Sequence, residues 1–592
     1  MAENYEFFYE GSPYSLDSGY GNFTGYRMQT GLVGAPTSIQ TANQIQEVSN
    51  LLNQGIKTVE IQAISPEVFD QIPKQHFKEI ARLKKLTGAE TTMHAPMIEP
   101  SGFTKEGWSE YNREQAERQL KSVIERAHEL SPEGHMPVTI HSSGIPGTEF
   151  IPTKEGEKMQ QMIAVNRDTG QLVPIKREEE YYPSHGLKPI MREPEDRIEN
   201  INHTEFINKI TNLAFYKKEA DEILNHAATG IAPIVDKLDK GITKEEQQHF
   251  QKPLEQIGRA DLFLENIQSS FRDLFDKTAK YGDENSKKVL GEISKQWQEF
   301  SVKSAKGEIN PIEHIFKKSE LLDFSINKLK ELERSDNGKM HVPELYVPVE
   351  QFATEKASKT FANVAFEGYR KFGDKTPIIS IENLFSGMAF SRAEDLKKLV
   401  EQTKENFIIK ATQEGYSKSA AAEAADKIIG VTWDVGHLNM MRKQGFKTED
   451  IVKETEKISP YVKHVHLTDN FGYSDSHLPP GMGNVPIKEI LEKLEKAGYK
   501  GKGIVEAGGF AQHFKTSPHP YALEALGSPL YSMMMKPYWN QMPAQGNYFS
   551  GYGPFLPEQS FSMYGSGFST LPTELGGQVG GGRSRVSGTP NQ

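Results

Sequence analysis

Nine side chains of metal-ligand type stand at the ends of short apolar runs in this sequence, or just after them. His94 closes TTMH, His141 closes VTIH, Glu382 closes IISIE and Asp434 closes VTWD, with His437 three residues further on. His466 ends VKHVH, Asp475 and His477 lie in SDSHLPPG, and Glu506 ends GIVE. Five imidazoles and four carboxylates form a nitrogen and oxygen donor set suited to zinc or another divalent cation. The chain has no cysteine, so disulfides and thiolate zinc sites are excluded, and the donors left are those of catalytic rather than structural zinc. Each motif alone says little: a D-x-x-H pair arises by chance, and a lone strand histidine is usually a hydrogen-bonded core residue. Their common position at strand ends makes them a set. His464 shares a face with His466 by the period of two but lies one layer deeper, and reads as structural. His513 and His519 read as loop residues. Asp469 and Asn470 read as loop groups that orient His466.

The elements that must position these residues recur at steady intervals. Apolar β-type runs fall at 31–35, 58–63, 90–94, 137–141, 377–382, 429–434, 461–467 and 502–506. Helical patterns lie between them at 40–54, 74–87, 110–130, 391–414 and 486–497. Strand, helix, strand in repetition implies parallel βαβ units, and eight strands close a barrel. The fold class is therefore α/β, a (β/α)8 TIM barrel whose C-terminal face gathers the nine residues.

One interval breaks the rhythm, because Glu382 follows His141 only after 241 positions. A βα unit cannot fill that length, so an insertion leaves the barrel after strand four. Its residues 164–183 predict a β-hairpin turning at Asp168-Thr169-Gly170. Residues 196–335 are Lys/Glu-rich with apolar side chains at helical spacing, which predicts several long packed helices. A helix over 350–372 returns the chain to strand five. The expected organisation is an irregular extension (1–30), the first part of the barrel (31–150), a hairpin plus helical insertion (151–340), the second part of the barrel (341–527) and a disordered tail rich in Gly, Ser and aromatics (528–592). The exit point makes the insertion a lid or substrate platform in this reading, and its partner is unknown.

The formal net charge of −11 argues against a general nucleic-acid coat, though bound metals would supply cationic charge of their own. No apolar run reaches the roughly 18–20 residues of a membrane span and no signal-peptide pattern opens the chain, so the expectation is a cytoplasmic protein without a membrane partner.

In the order and context of these motifs the sequence resembles the endonuclease IV and xylose isomerase-like superfamily of metal-dependent TIM barrels, over 31–150 and 340–527. Endonuclease IV-like enzymes hold up to three zinc ions. The resemblance implies a first metal on His94, His141 and Glu382. Glu382 would bridge to a second, held also by Asp434, His466 and Glu506, and a third would sit on His437, Asp475 and His477. That set suits phosphodiester hydrolysis, with DNA carrying an abasic site as partner. Two segments depart from the endonuclease pattern: Gly481-Met482-Gly483 stands where Gly-Glu-Gly is common, and AISPEVFDQ after strand two lacks basic and aromatic DNA-entry residues. The other branch, sugar and sugar-phosphate isomerases and epimerases, needs only Glu382, Asp434, His466 and Glu506 around one divalent ion such as Mn2+ or Mg2+, with Glu382 and Glu506 moving the proton. A third reading makes the barrel a non-catalytic scaffold.

Overall fold

The computed structural model describes residues 23–63, 65–183, 186–231, 250–333, 340–508, 510 and 517–527, together with a short antiparallel pair, Gln578–Val579 with Arg583–Ser584. The expectations for residues 1–22, for most of 528–592 and for His513 lie outside the described residues. Eight parallel strands form a closed barrel: β1 Val33–Pro36, β2 Thr58–Gln62, β3 Glu90–His94, β4 Pro137–His141, β5 Ile378–Glu382, β6 Ile429–Asp434, β7 Val462–His466 and β8 Gly503–Ile504. They pair in chain order, and β8 closes on β1. β1 begins two residues later than its apolar run because Thr30–Leu32 forms a 3-10 turn. No helix among the described residues is long and apolar enough to cross a membrane.

Register brings the strand-end donors to one level. Glu382 lies opposite His141 across β5 and β4, and Asp434 lies opposite His466 across β6 and β7. Two residues earlier, and so one layer further into the barrel, the inward side chains of β4, β5 and β6 are small hydroxyls, and that of β7 is His464. Thr139 and Thr432 share a hydrogen bond of 2.9 Å, and Thr432 donates to Ser380 at 2.8 Å. On the far side Thr92 donates to the Glu60 carboxylate at 2.8 Å. This polar floor is fully buried, while alternate residues such as Val59, Ile61, Ile379 and Val431 face the helical layer as apolar packing.

The barrel helices follow from their caps and stripes. Ser109 accepts the N–H of Asn112 to start Glu110–Leu130, whose Ala116, Leu120, Val123, Ile124 and Ala127 form one buried face. Ile487–Lys496 buries Ile487, Ile490, Leu491 and Leu494 in the same way.

The chain divides into two compact units, the barrel unit (1–163, 169–172 and 348–592) and a second made of 164–168 and 173–347. The anticipated turn at Asp168-Thr169-Gly170 joins paired strands Gly156–Asn166 and Leu172–Lys176, with Gly170 at φ +72°. The second unit contains the helices Pro194–Ile231, Gln251–Tyr281, Glu284–Ala305 and Pro311–Lys330. Phe206, Ile210, Leu213, Leu264, Phe271, Ile293, Leu322 and Leu329 share one apolar core there.

Candidate metal centre

Glu382, at the end of β5 and fully buried, is the hub. Its Oε1 lies 2.8 Å from His466 Nδ1, and its Oε2 lies 3.3 Å from His94 Nε2 and 3.2 Å from His141 Nε2. Glu382, Asp434, His466 and Glu506 form a tight donor group, Glu506 Oε2 standing 3.5 Å and Asp434 Oδ2 3.9 Å from His466 Nδ1. His437, Asp475 and His477 form a second group, in which Asp475 Oδ2 is 3.3 Å from His437 Nε2 and 2.9 Å from His477 Nε2. All nine sequence-derived residues thus stand at strand ends, or in the loops and short helix just past them, on the C-terminal side of the barrel.

The main chain aims several of these rings. His94 Nδ1–H donates to the carbonyl of Ala95 (2.8 Å), His437 Nδ1–H to Asn383 (2.9 Å) and His477 Nδ1–H to Glu506 (3.0 Å). Each ring is left in the tautomer whose Nε2 lone pair faces a carboxylate. Asp434 is divided likewise. Its Oδ1 accepts Thr468 Oγ–H (2.8 Å) and the His437 N–H (2.7 Å), capping the short helix Val435–Asn439, while its Oδ2 is buried without a partner. Asp475 Oδ1 is also buried and unpartnered. His477 reaches its place at φ +45°, in the left-handed region.

The electrostatics describe a basin that wants positive charge. Burial penalises a charged His94, but Glu382 outweighs it and raises the pKa to about 9. His477 is likewise raised to about 9, with Asp475 overcoming desolvation. His437 and His466 are held well above the ordinary value, burial again opposing and the surrounding carboxylates winning. Glu382 is held well below the carboxylate range, because His466, His141 and His94 outweigh its burial. Imidazole lone pairs facing carboxylates need a proton or a metal ion between them. With two orphaned buried carboxylate oxygens in the same basin, the residues fit a divalent cation.

Sequence reasoning missed Glu60. It sits on β2, fully buried, with Oε2 accepting from Thr92 and 3.2 Å from His464 Nε2, and Oε1 3.2 Å from His466 Nε2. The available signal was an acid between Val59 and Ile61 in a strand buried on both faces. The expectation that Asp469 and Asn470 orient His466 is corrected. Asp469 accepts the N–H groups of Asn470 (2.9 Å), Gly481 (2.9 Å) and Val485 (3.0 Å), and Asn470 bonds Gly436 and Asn439. Both fasten the loop that carries Asp475 and His477, since buried N–H groups there must find acceptors. Met482, in place of the acid common in the endonuclease pattern, is buried. His464 lies beneath the site against Glu60, and burial keeps its pKa lowered. His519 is buried in the short helix His519–Ala525, with its pKa lowered to about 4 by burial, and belongs to none of the donor groups.

A closed parallel barrel with its clustered His, Asp and Glu side chains at the C-terminal mouth defines a class, the TIM barrels. More narrowly, residues 370–526 match the family described as xylose isomerase-like TIM barrel, a stretch that runs from β5 to past β8 and carries seven of the nine donors. Over 80 residues the chain is 40% identical to an uncharacterized protein of Methanocaldococcus jannaschii, covering 14% of this chain and 26% of that protein. It is 30% identical over 80 residues to fructoselysine 3-epimerase of Shigella flexneri, covering 14% of this chain and 28% of the epimerase. The aligned stretch thus spans about a quarter of each curated relative. A solved structure of a D-tagatose 3-epimerase-like protein aligns over 87% of this chain and 99% of its own at 13% identity, with a TM-score of 0.36.

Proposed function

We propose that the barrel is a divalent-metal-dependent isomerase or epimerase acting on a small sugar or sugar phosphate. The observation that carries this reading is the four-donor group Glu382, Asp434, His466 and Glu506 at the barrel mouth. These four residues would hold the ion, which when bound polarises the carbonyl and adjacent hydroxyl of the substrate. The two glutamates divide the remaining work. Glu382 is fully enclosed and committed to three histidines, whereas the Glu506 side chain retains 12% exposure. Glu506 is therefore the base best placed to take a proton from a substrate carbon beside the carbonyl. Return of that proton to the neighbouring carbon isomerises the sugar, and delivery of a proton to the opposite face of the same carbon through Glu382, drawn from the protonated His94 beside it, epimerises it. His94 and His141 keep Glu382 in place while this happens. The fructoselysine 3-epimerase relatives and the xylose isomerase-like match support this class of chemistry.

A second reading is favoured by one specific observation. His437, Asp475 and His477 form a further donor group that the isomerase scheme does not use. With up to three zinc ions, such a site suits hydrolysis of a phosphodiester, for which DNA with an abasic site would be the substrate. The deciding experiment loads the full chain with zinc, manganese or magnesium, measures metal per chain, and assays both ketose and aldose sugar panels and an abasic-site duplex. One ion with sugar turnover supports the isomerase. Three zinc ions with strand cleavage and no sugar turnover would replace it by the hydrolase, and a chain that binds no metal would leave the scaffold reading.

A further inference from the structure

We infer that Glu60 is a positioning residue that decides which ring nitrogen His466 offers to the metal. This deepens the metal-centre reading and rests on it. Three histidines of the basin donate Nδ1–H to a main-chain carbonyl and present Nε2. His466 is turned the other way. Its Nδ1 faces Glu382, Glu506 and Asp434 at 2.8, 3.5 and 3.9 Å, and its Nε2 points down into the barrel, 3.2 Å from Glu60 Oε1. Both atoms are buried and neither has a hydrogen-bond partner, so each has only the other within ion-pair distance. The other Glu60 oxygen is committed to Thr92 Oγ–H and His464 Nε2.

The donor count makes the role specific. Three groups with protons to give converge on one carboxylate: Oε2 accepts from Thr92 and His464, and Oε1 faces His466 Nε2 at 3.2 Å as its one nearby acceptor. An acceptor at Oε1 holds the Nε2 proton of His466 in place, so that it is the Nδ1 proton, now shared with Glu382 at 2.8 Å, that a metal ion would displace, and a carboxylate partner also makes the ring a stronger ligand than a carbonyl does. A glutamine in this position cannot do the same. Its carbonyl oxygen belongs in the Oε2 place, where it satisfies Thr92 and His464 together. Its amide N–H2 then occupies the Oε1 place and donates to His466 Nε2. The proton of His466 is driven to Nδ1, and the ring loses the lone pair it offered to the metal.

The test uses the full-length chain with isotope-labelled histidine and zinc as probe, affinity being read by competition with a chromophoric chelator. In the zinc-loaded wild type the ring N–H signal of His466 belongs to Nε2, and Nδ1 is the zinc-bound nitrogen. Glu60→Gln is expected to weaken one zinc site by about 10- to 100-fold and to remove the Nε2–H signal. Glu60→Asp keeps two accepting oxygens and is expected to restore Nδ1 ligation with intermediate affinity, which also guards against a folding defect peculiar to glutamine. A Glu60→Gln protein that binds zinc as tightly as wild type, still through His466 Nδ1, overturns the inference and leaves the metal centre standing. A wild-type chain that binds no zinc overturns the metal-centre reading, and this inference with it.

Discussion

In the helical unit the most deeply buried side chains include Leu264, Ile293, Leu322 and Leu329; in the barrel, residues at the same depth include Glu60, Glu382, Asp434 and His466. The first interior is explained by stability alone, each enclosed leucine or isoleucine contributing roughly 1.5–3 kcal/mol. Charges there are paired at or towards the rim: Lys277 lies 3.1 Å from both Asp168 and Asp273, in surface pairs that stabilise by at most about 1 kcal/mol, and the two buried lysines, Lys217 and Lys318, reach the partly exposed Asp221 and Asp261. The barrel interior cannot be explained that way. Withdrawing a carboxylate from water costs several kcal/mol and is at best offset by its partners, so a hydrophobic filling would serve stability as well or better. Buried charge that stability does not require marks where chemistry is done.

The sharpest way to break this contrast is at its hub. Glu382→Gln removes the charge that three histidines face, and zinc binding is expected to weaken by at least about 100-fold, with turnover lost in either proposed reaction. Titration of the variant with zinc checks this, and a full metal complement would mean that the basin is held together by something other than Glu382. Asp475→Ala acts on the outer group alone. Under the isomerase reading the ion count stays at one and sugar turnover is kept within about tenfold, whereas under the hydrolase reading one ion fewer per chain is expected and duplex cleavage is abolished. Measured side by side, those two activities separate the alternatives.

Acidity should move the two interiors in opposite directions. His94 and His477 of the metal-free protein are raised to about 9, so the folded barrel binds more protons than the unfolded chain above the ordinary histidine value. Their contribution to stability is complete below about pH 6.5 and is lost as pH rises through about 9. Thermal unfolding of chelator-treated protein should therefore weaken across that window, and saturating zinc should flatten the slope, because the ion takes the place of the protons. In the helical unit Asp283 is lowered, its Ser286 and His341 partners outweighing partial burial, and its contribution is lost only as pH falls. An equal alkaline slope with and without zinc would refute the assignment. The smallest effect on the site is expected from the other interior. Leu264→Ala should destabilise the helical unit by about 2–5 kcal/mol and change zinc affinity by less than about twofold. A larger change in affinity would show that the two interiors are energetically linked.

Both interiors left traces in the sequence, but of different kinds. β3, β4 and β6 were bounded by their own residues, since runs such as VTIH and VTWD end on an inward side chain of metal-ligand type. The helix Glu110–Leu130 was visible to the residue because Ser109 and a regular apolar stripe define it. Glu60 escaped because it ends no run: it lies in the middle of TVEIQ, where one acid reads as an ordinary outward residue of an alternating strand. Only closure of the barrel, which buries both faces of β2, makes that position remarkable in charge terms. The true partner of His466 was hidden for the same reason. It lies about four hundred residues away in sequence, and the nearer Asp469 and Asn470 offered a local answer that the loop's own N–H groups had already taken.

His477 carries the record of a compromise. A side chain at φ +45° holds its backbone in a conformation that favours glycine, at an expense of about 1–3 kcal/mol for other residues. Selection for stability alone would place glycine there, as it has at Gly472 (φ +85°) and Gly481 (φ +84°) in the same loop. The imidazole survives at a position of that loop where a backbone without a side chain would be more comfortable. An evolutionary history in which the outer donor group had fallen out of use would be expected to relax that position first.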